Sequence, residues 1–484
     1  MLVGTVQARD CKGNERKQVL AIGNCAQPRC YDADAEKLVW TFRVKPTTCG
    51  RASDSAMAIV QANNSPAAST APSASTRAAL VVVTSLFFMW GFVTALNDVL
   101  IPHLKSIFDL NYTKASLIQF AFFAAYFLFS IPAARLIDSV GYKRAMVTGV
   151  LVMGAGALLF LPAAAVPSYP LFLGALMVLA CGITILQVAA NPYVAVLGPP
   201  QTASSRLNLS QAFNSLGTTV APLLGGYLIL NAAAKSIDEI RQMAPDALHA
   251  YRVHEAASVK VPYLVIGLAL LVLGFLISTF RLPPIPGAEH HKGDPTDSLW
   301  KYRHLILGVV AIFVYVGAEV SIGSFLINYF SQPNIGNISE ADASKYLSSY
   351  RFCAMIGRFI GSAILQKVPT GKVLGLTAIV ASLLVFISMG SSGQLAMWSM
   401  ILIGLFNSVM FPSIFTLGIA ELGPRTGDGS GLLIMAIVGG AIVPLAVGAL
   451  ADRIGLQHSF ILPAICYLYI VYYALKGSRI ATPA

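Results

Sequence analysis

The stretch FFMWGFVTALNDVLIPHL, residues 87–104, is apolar enough to lie within a membrane, yet it contains the acid Asp98 next to Asn97. No basic residue stands within several positions of Asp98 to neutralise its charge. A charge at the centre of a membrane helix costs about 2.5–3.5 kcal/mol on insertion scales, so such a residue faces a polar cavity or a partner. The stretch therefore predicts a membrane helix with a carboxylate turned toward a polar interior.

The whole chain shares this apolar character, since 56% of its 484 residues are hydrophobic and 11% are charged. A soluble globular domain has about 25% charged residues. Apolar stretches of about 20 residues recur, and a helix of that length crosses the hydrocarbon core while satisfying its own backbone hydrogen bonds. We therefore predict an all-α membrane protein. Its twelve predicted spans lie at 80–106, 113–137, 144–163, 169–196, 207–231, 261–280, 305–330, 341–366, 372–390, 395–420, 428–453 and 457–477.

The net charge of +11 comes from basic residues scattered through short loops. They form no continuous basic face, so we expect the lipid bilayer as the surrounding partner and no nucleic acid. The loops predicted to be cytoplasmic contain Lys143, Arg144, Arg206, Arg281, Lys292, Lys301, Arg303, Lys367, Lys372, Arg425, Lys476 and Arg479. Because cytoplasmic loops are enriched in Lys and Arg, both termini are predicted to be cytoplasmic.

The amino-terminal segment differs in composition from the rest. Residues 1–56 are polar, mixed in charge and contain four of the seven cysteines, without the paired C-x-x-C spacing of a zinc site. We therefore expect no metal, and we predict a disordered extension over residues 1–78. We further interpret Met57 as the true initiator, so that residues 1–56 are not translated. Peptides from residues 20–50 in a mass spectrum of the native protein would refute this.

Two pairs of segments indicate an internal repeat. NPYVAVLG at 191–198 aligns with FPSIFTLG at 411–418, and GTTVAPLLGG at 217–226 aligns with GGAIVPLAVG at 439–448. Such repeats are typical of transporters built from two related halves. The predicted order is a six-helix bundle at 79–280, a cytoplasmic linker at 281–304, a pseudo-symmetric six-helix bundle at 305–477 and a tail at 478–484.

The repeat offset also relates two acids, because it places Asp98 opposite Glu319 in the first helix of each half. A carboxyl group in such surroundings can gain and lose a proton near neutral pH, so both residues are proton-site candidates. The alternative is that each carboxyl is a structural group, with Asp98 held by Asn97 or by the backbone.

The other polar candidates within the spans are amides and an indole. As possible sugar-binding residues we select Trp90, Asn97, Gln187, Asn191, Gln211, Asn214, Asn328 and Asn407. Amides donate and accept hydrogen bonds at once, as vicinal hydroxyl groups require, and an aromatic face suits the C–H face of a sugar ring. The alternative is that they hold helices together, which contributes roughly 0.6 kcal/mol per hydrogen bond.

Motifs for enzymatic chemistry were not found in the sequence, which has neither a Walker loop for ATP nor an H-E-x-x-H metal motif. We therefore predict that the protein is not an enzyme and needs no cofactor. A pump without an ATP site must draw its free energy from an ion gradient.

Several segments together resemble one known family. MWGFVTALNDVLIPHL, QVAANPYVAVLGP, SRLNLSQAFNSLGT and YVGAEVSIGSFLINYF are similar to the fucose–galactose–glucose proton symporter family of the major facilitator superfamily, and the likeness covers about residues 80–477. The bacterial glucose/galactose transporters are the nearest branch. The resemblance implies twelve helices in two bundles, and proton-coupled uptake of a monosaccharide by alternating access. It also implies a monomer in the bacterial inner membrane.

In the fucose branch of this family, an aspartate of the first helix and a glutamate of the fourth handle protons. A glutamine and an asparagine of the fifth helix line the sugar site. Asp98, Gln211 and Asn214 match this pattern, but Gln187 stands at the fourth-helix glutamate and cannot titrate. Glu319 stands where the fucose pattern has an amide, and we infer that it supplies the missing acid.

The segment ARLIDSVGYKR at 134–144 resembles the inter-helix signature of the superfamily, with Ala134 in place of the usual leading glycine. The resemblance implies a conformational latch at the cytoplasmic face made by Asp138, Gly141, Lys143 and Arg144.

Three alternatives remain open from the sequence. The sugar is expected to be glucose or galactose, but fucose, mannose, fructose and N-acetylglucosamine carriers have similar sequences. An uncoupled sugar uniporter would use both carboxyls as structural groups. A sugar sensor that does not transport is disfavoured, because the linker at 281–304 is too short to fold as an output domain.

Overall fold

The structure is a computed structural model of the chain. It describes the backbone of short stretches within 2–60, of residues 74–108, 112–166, 168–229, 259–283 and 298–480, and of a few positions between 243 and 257. Side chains are described at those few positions and for 76–96, 117–166, 168–222, 259–283 and 298–480 apart from 340 and 341. The chain divides into two compact units, Met1–Ala71 and Pro72–Ala484.

The first unit contains short strands. They are β1 Leu2–Arg9, β2 Glu15–Gly23, β3 Gln27–Asp32, β4 Lys37–Leu38, β5 Trp40–Thr41 and β6 Ile59–Val60. The first four form an antiparallel sheet in chain order, with Leu2 opposite Ile22, and β5 pairs with β6. The disordered extension over residues 1–78 stays a prediction. That residues 1–56 are not translated stays a prediction.

The second unit is helical. Its helices are α1 Ala74–Phe108, α2 Tyr112–Ala165, α3 Tyr169–Val196, α4 Ala203–Ile229, α5 Lys260–Thr279, α6 Arg303–Phe330, α7 Glu340–Ile364, α8 Thr370–Gly390, α9 Gly393–Asn407, α10 Met410–Gly418, α11 Thr426–Met435, α12 Gly439–Ile454, α13 Leu456–Ser459 and α14 Ile461–Tyr472. A π-helical turn, Tyr473–Gly477, follows α14. Helices stand at all twelve predicted spans.

The long helix α2 covers the second and third predicted spans. Its backbone leaves the helical conformation at Gly141, which has φ 80° and ψ 166°. A residue with a side chain rarely adopts this positive φ, whereas glycine does so at little cost. The two spans within α2 are therefore separated by a glycine turn at the position predicted between them.

Several predicted spans of the second half are interrupted helices. The span at 395–420 is divided into α9 and α10 at Ser408 and Val409, and the span at 428–453 is divided by a 3₁₀ turn at Ala436–Val438. The repeat prolines Pro222 and Pro444 both lie inside helices, α4 and α12. Interruptions of this kind are tolerated in membrane helices where neighbouring helices cover the freed backbone groups.

Nine segments in the described part of the chain are long and apolar enough to cross a membrane, and one of them, Leu117–Ala165, covers two predicted spans. The outward faces of these helices are apolar: Phe275, Leu376 and Leu445 are 67%, 64% and 67% exposed. Such surfaces suit lipid, because the hydrocarbon of a bilayer is as apolar as these side chains. Helix α7 is more polar, with Arg351 and Arg358 among its residues.

The helices pack into two bundles that meet along two seams. Within the first bundle α1 packs on α4 and α2 on α3, and within the second α8 packs on α14 and α7 on α9. Between the bundles α4 packs on α7, and α11 packs on α2 and α3. The polar residues of α1, α4, α6 and α7 thereby come together in the middle of the second unit.

Helices α1 and α4 approach each other closely because of two glycines. A Cβ at Gly91 would collide with the backbone and side chain of Asn214, and a Cβ at Gly217 would collide with the carbonyl of Phe88. Small residues let membrane helices approach in this way. The contact holds Trp90, the neighbour of Gly91, beside Asn214.

Candidate functional site

A central cavity of about 210 Å³ lies between the two bundles. The first bundle contributes Trp90 from α1, Tyr126 from α2, Gln187 from α3, and Gln211 and Asn214 from α4. The second bundle contributes Tyr315 and Glu319 from α6 and Arg358 from α7. Phe122, Phe123 and Phe411 complete its walls with aromatic surface. Among the described residues, the cavity therefore combines amides, an indole, an arginine and one acid in a mostly apolar setting, as small-molecule sites do.

A second cavity of about 390 Å³ adjoins the first. Both cavities are lined by Thr94, Asn214, Thr218, Glu319 and Arg358. The second cavity adds polar groups that lie farther along α6 and nearer the start of α7, namely Ser324, Tyr350 and Arg351. The two cavities thus form a polar path that leads from the middle of the bundles toward the carboxyl end of α6.

The amides of the first bundle are oriented by hydrogen bonds. Gln187 Nε2 donates to the Tyr126 hydroxyl at 2.8 Å, and Asn214 Nδ2 donates to the carbonyl of Phe87 at 3.0 Å. Gln211 Nε2 donates to Asn191 Oδ1 at 3.4 Å. Because one donor of each amide is engaged in the protein, its carbonyl oxygen is held in a fixed direction for an incoming hydroxyl group.

Glu319 is half-buried on α6 and lines both cavities. Tyr315 lies one helical turn before it, and the Tyr315 hydroxyl donates to the carbonyl of Asn407 at 3.1 Å. The Asn407 side chain in turn donates to the Tyr350 hydroxyl at 3.2 Å. The acid therefore stands beside tyrosine side chains whose positions are fixed by Asn407.

Arg358 on α7 was missed by the sequence analysis. Its Nη1 donates to the carbonyl of Gln211 at 2.9 Å and to the hydroxyl of Ser215, and its own carbonyl accepts from Asn208 Nδ2 at 2.7 Å. These bonds join α7 to α4 across a seam between the bundles. The signal was available, since a lone cation within the apolar stretch 352–364 requires a partner as strictly as a lone acid does.

The predicted sugar-binding residues divide into three groups. Trp90, Gln187, Gln211 and Asn214 line the central cavity. Asn191 and Asn407 are fully buried behind it, where they bond to Gln211 and Tyr350. Asn328 is exposed near the end of α6 and lines neither cavity. The side chains of Asn97 and Asp98 lie outside the described residues, so their roles stay predictions.

The predicted latch residues lie around the glycine turn of α2. A Cβ at Gly427, near the start of α11, would lie 3.5 Å from Asp138 Oδ1 and 3.8 Å from the Tyr142 hydroxyl. A carboxylate near a helix amino terminus is favoured by the helix dipole, and the role of Asp138 in a latch stays a prediction. Lys143 Nζ donates to the carbonyl of Ser278 at 2.7 Å within the first bundle, and Arg144 is exposed.

Neutral hydroxyl contacts join the bundles at the same end of the molecule. The Ser204 hydroxyl lies 2.8 Å from that of Thr370, and the Ser205 hydroxyl donates to the carbonyl of Ser362 at 2.7 Å. On the other seam the Ser430 hydroxyl donates to the carbonyl of Val188 at 2.8 Å. The bundles are therefore in contact where α4 begins and α7 ends, which closes this end of the central cavity.

Comparison with known proteins identifies the family. Residues 80–437 match the family model described as Major Facilitator Superfamily. The chain belongs to this superfamily. A glucose/galactose transporter of Brucella abortus is 52% identical over 402 residues, which are 83% of this chain and 94% of the relative. A putative glucose/galactose transporter of Helicobacter pylori is 41% identical over 83% of this chain and 97% of the relative.

The fold is matched by solved structures of superfamily members. A crystal structure of FucP, the fucose:proton symporter of Escherichia coli, in the outward conformation has a TM-score of 0.77 and 36% sequence identity. The match covers 83% of this chain and 98% of FucP. The resemblance drawn from the sequence is thus confirmed. For the second unit, an all-α membrane fold of the major facilitator superfamily, built from two pseudo-symmetric six-helix bundles, is also confirmed.

Proposed function

We propose that this chain is a secondary active transporter that takes up a monosaccharide together with a proton, with glucose or galactose as the favoured sugar. The observation that carries the proposal is the central cavity, in which four amide and indole side chains of one bundle face Glu319 of the other. The names of the Brucella and Helicobacter relatives favour glucose and galactose over fucose. No covalent chemistry is required of any residue.

The wall formed by Trp90, Gln187, Gln211 and Asn214 supports sugar binding. An indole face packs well against the C–H face of a pyranose, while amide groups satisfy its hydroxyls. Buried polar groups that lose their partners are costly, so such a site discriminates against analogues that lack a hydroxyl. Asn191 and Asn407 would act through the residues to which they bond, and Asn97 remains a candidate from the sequence.

Proton coupling is assigned to Asp98 and Glu319. A protonated carboxyl would allow sugar to bind and the loaded carrier to reorient, and linkage makes the effect reciprocal. One proton crossing about 150 mV supplies roughly 3.5 kcal/mol, which supports a sugar gradient of a few hundred-fold. The proton and the sugar are therefore the two partners that the carrier requires.

The transport cycle follows from the two bundles. We assign the end closed by Ser204, Ser205 and Ser430 to the cytoplasm, in agreement with basic loops and with both termini inside. The second cavity then leads to the periplasm, as it would in an outward state of a carrier in the bacterial inner membrane. Asp138 of α2, which lies beside the start of α11, would hold the cytoplasmic side closed until sugar and proton are bound. We expect a monomer, since one chain contains both bundles.

Counterflow in proteoliposomes with a panel of labelled monosaccharides tests the function and names the sugar. Glucose or galactose is expected to exchange at least about tenfold faster than fucose. Sugar added to lightly buffered vesicles should also alkalinise the medium. Exchange without alkalinisation would establish an uncoupled uniporter, and the absence of exchange with every sugar in the panel would overturn the proposal.

A further inference from the structure

Arg358 stands between the acid of one bundle and the backbone of the other. Its side chain lines both cavities with Glu319, and the two charges are close enough to interact. The same guanidinium donates across the α4–α7 seam to the Gln211 carbonyl and the Ser215 hydroxyl. An arginine keeps its charge under all physiological conditions. Whether the guanidinium lies nearer to Glu319 or to the acceptors on α4 therefore depends on the charge of Glu319.

The surroundings of Glu319 leave few other groups that could respond to its charge. Besides Arg358, the titratable side chains that line one of the two cavities with Glu319 in the described part of the chain are Tyr126, Tyr315, Tyr350 and Arg351. Tyr467 also interacts with this acid. The hydroxyls of Tyr315 and Tyr350 already bond to Asn407. Arg351 is a second cation beside this acid, in the second cavity, whereas Arg358 lines both cavities and has hydrogen bonds to the opposite bundle.

We infer that Arg358 is a positioning residue that converts the protonation state of Glu319 into a change at the α4–α7 seam. This inference rests on the proposed proton coupling. An ionised Glu319 attracts the guanidinium toward α6 and weakens its bonds to Gln211 and Ser215. When Glu319 is protonated that attraction is lost, and the guanidinium bonds fully to α4. Protonation then favours the closed seam, which is the state that receives sugar from the outer side.

The geometry also explains why an arginine is required. Its planar group offers several donors in fixed directions, so it can hold two acceptors on α4 while it remains beside the acid. Lysine would keep the charge but not this arrangement. A ligand shifts a conformational equilibrium only if its affinity differs between the two states. A proton on Glu319 meets this condition if Arg358 makes the proton affinity of Glu319 depend on whether the α4–α7 seam is closed.

The test is a distance measurement across the seam by pulsed electron paramagnetic resonance, without sugar, in a cysteine-free background that retains uptake. Spin labels at Leu209 on α4 and Ile360 on α7 are suitable, because these side chains are 42% and 50% exposed. In the native background the ratio of close to separated populations should rise at least about threefold from about pH 8 to about pH 5.

Three variants make the test specific. Arg358→Gln should abolish most of the pH response, Arg358→Lys should retain part of it, and Glu319→Gln should hold the ratio near its acid value at every pH. Lys345→Gln is the matched control on α7, because Lys345 is exposed and pairs with Asp342. A merely structural arginine would shift the ratio equally at all pH values.

The inference is overturned if the native ratio does not change with pH, or if Arg358→Gln or Glu319→Gln responds to pH as the native protein does. These outcomes are separate from failure of the proposed function. Sugar-induced alkalinisation in vesicles decides proton coupling, whereas the seam distance decides how Glu319 is connected to the bundles.

Discussion

The hydroxyl oxygen of Ser204, at the start of α4, lies 2.6 Å from the hydroxyl oxygen of Thr416 on α10. The Ser204 hydroxyl also contacts Thr370, so three neutral side chains join the bundles at one point. A neutral hydrogen bond contributes only about 1 kcal/mol net and can be exchanged for bonds to water. A closure of this kind can open in each cycle without exposing a buried charge.

Ser204→Ala should therefore shift the carrier toward the conformation in which this end of the bundles is open. The loss of about 1 kcal/mol corresponds to a roughly fivefold higher ratio of separated to close populations at the seam. The spin labels at positions 209 and 360 measure this ratio directly. Ser348→Ala is the control, because the Ser348 hydroxyl donates to the carbonyl of Ser344 within α7. An unchanged ratio in Ser204→Ala would show that these hydroxyls do not hold the closure.

Gly91→Ala should abolish most uptake and lower thermal stability, because the new methyl group would collide with Asn214 and push α1 from α4. Overpacking of this kind costs typically about 1–3 kcal/mol. Gly174→Ala is the matched control on α3, where an added Cβ meets nothing within 4 Å. The control should be neutral or slightly stabilising, since alanine favours helix by about 1 kcal/mol. Equal melting temperatures for the two variants would contradict the close contact.

Tyr126→Phe should weaken sugar binding while leaving the fold intact. The hydroxyl that accepts from Gln187 at 2.8 Å would be lost, and the amide would no longer be held toward the cavity. One hydrogen bond of about 1 kcal/mol corresponds to a roughly fivefold rise in the sugar concentration for half-maximal counterflow. Tyr263→Phe is the control, because Tyr263 lines neither cavity and its ring centroid lies 4.2 Å from that of Phe160. A similar rise in both variants would assign the effect to general destabilisation.

The sequence predicted the helices better than it predicted which side chains meet. Apolar length located every span, and it also located the break between the second and third spans, because it depends on local properties of the chain. Neighbouring positions on a helix differ by about 100° in direction, so spacing alone could not separate Asn214, in the cavity, from the buried Asn407. Asn328 lines neither cavity because it lies farther along α6 than Glu319, and its role in sugar binding stays a prediction.

Contacts between the bundles were beyond prediction from one sequence. Serine and threonine occur throughout the spans, and nothing local distinguishes Ser204 or Ser430 from a serine that bonds to its own helix. Arg358 is the exception, because its charge marks it within α7 whatever its partners are. A cation within an apolar span is as informative as an acid or an amide, since each requires a polar partner there.

Sugar accumulation depends on protons that bind to acids within the membrane, and one pair of assays tests this most directly. In proteoliposomes with an imposed pH gradient, the native protein should accumulate sugar well above equilibrium. The double variant Asp98→Asn/Glu319→Gln should retain counterflow, which needs no net proton movement, but lose accumulation by at least about tenfold. The single variants then assign the share of each acid. Native accumulation by the double variant would contradict proton coupling through these residues.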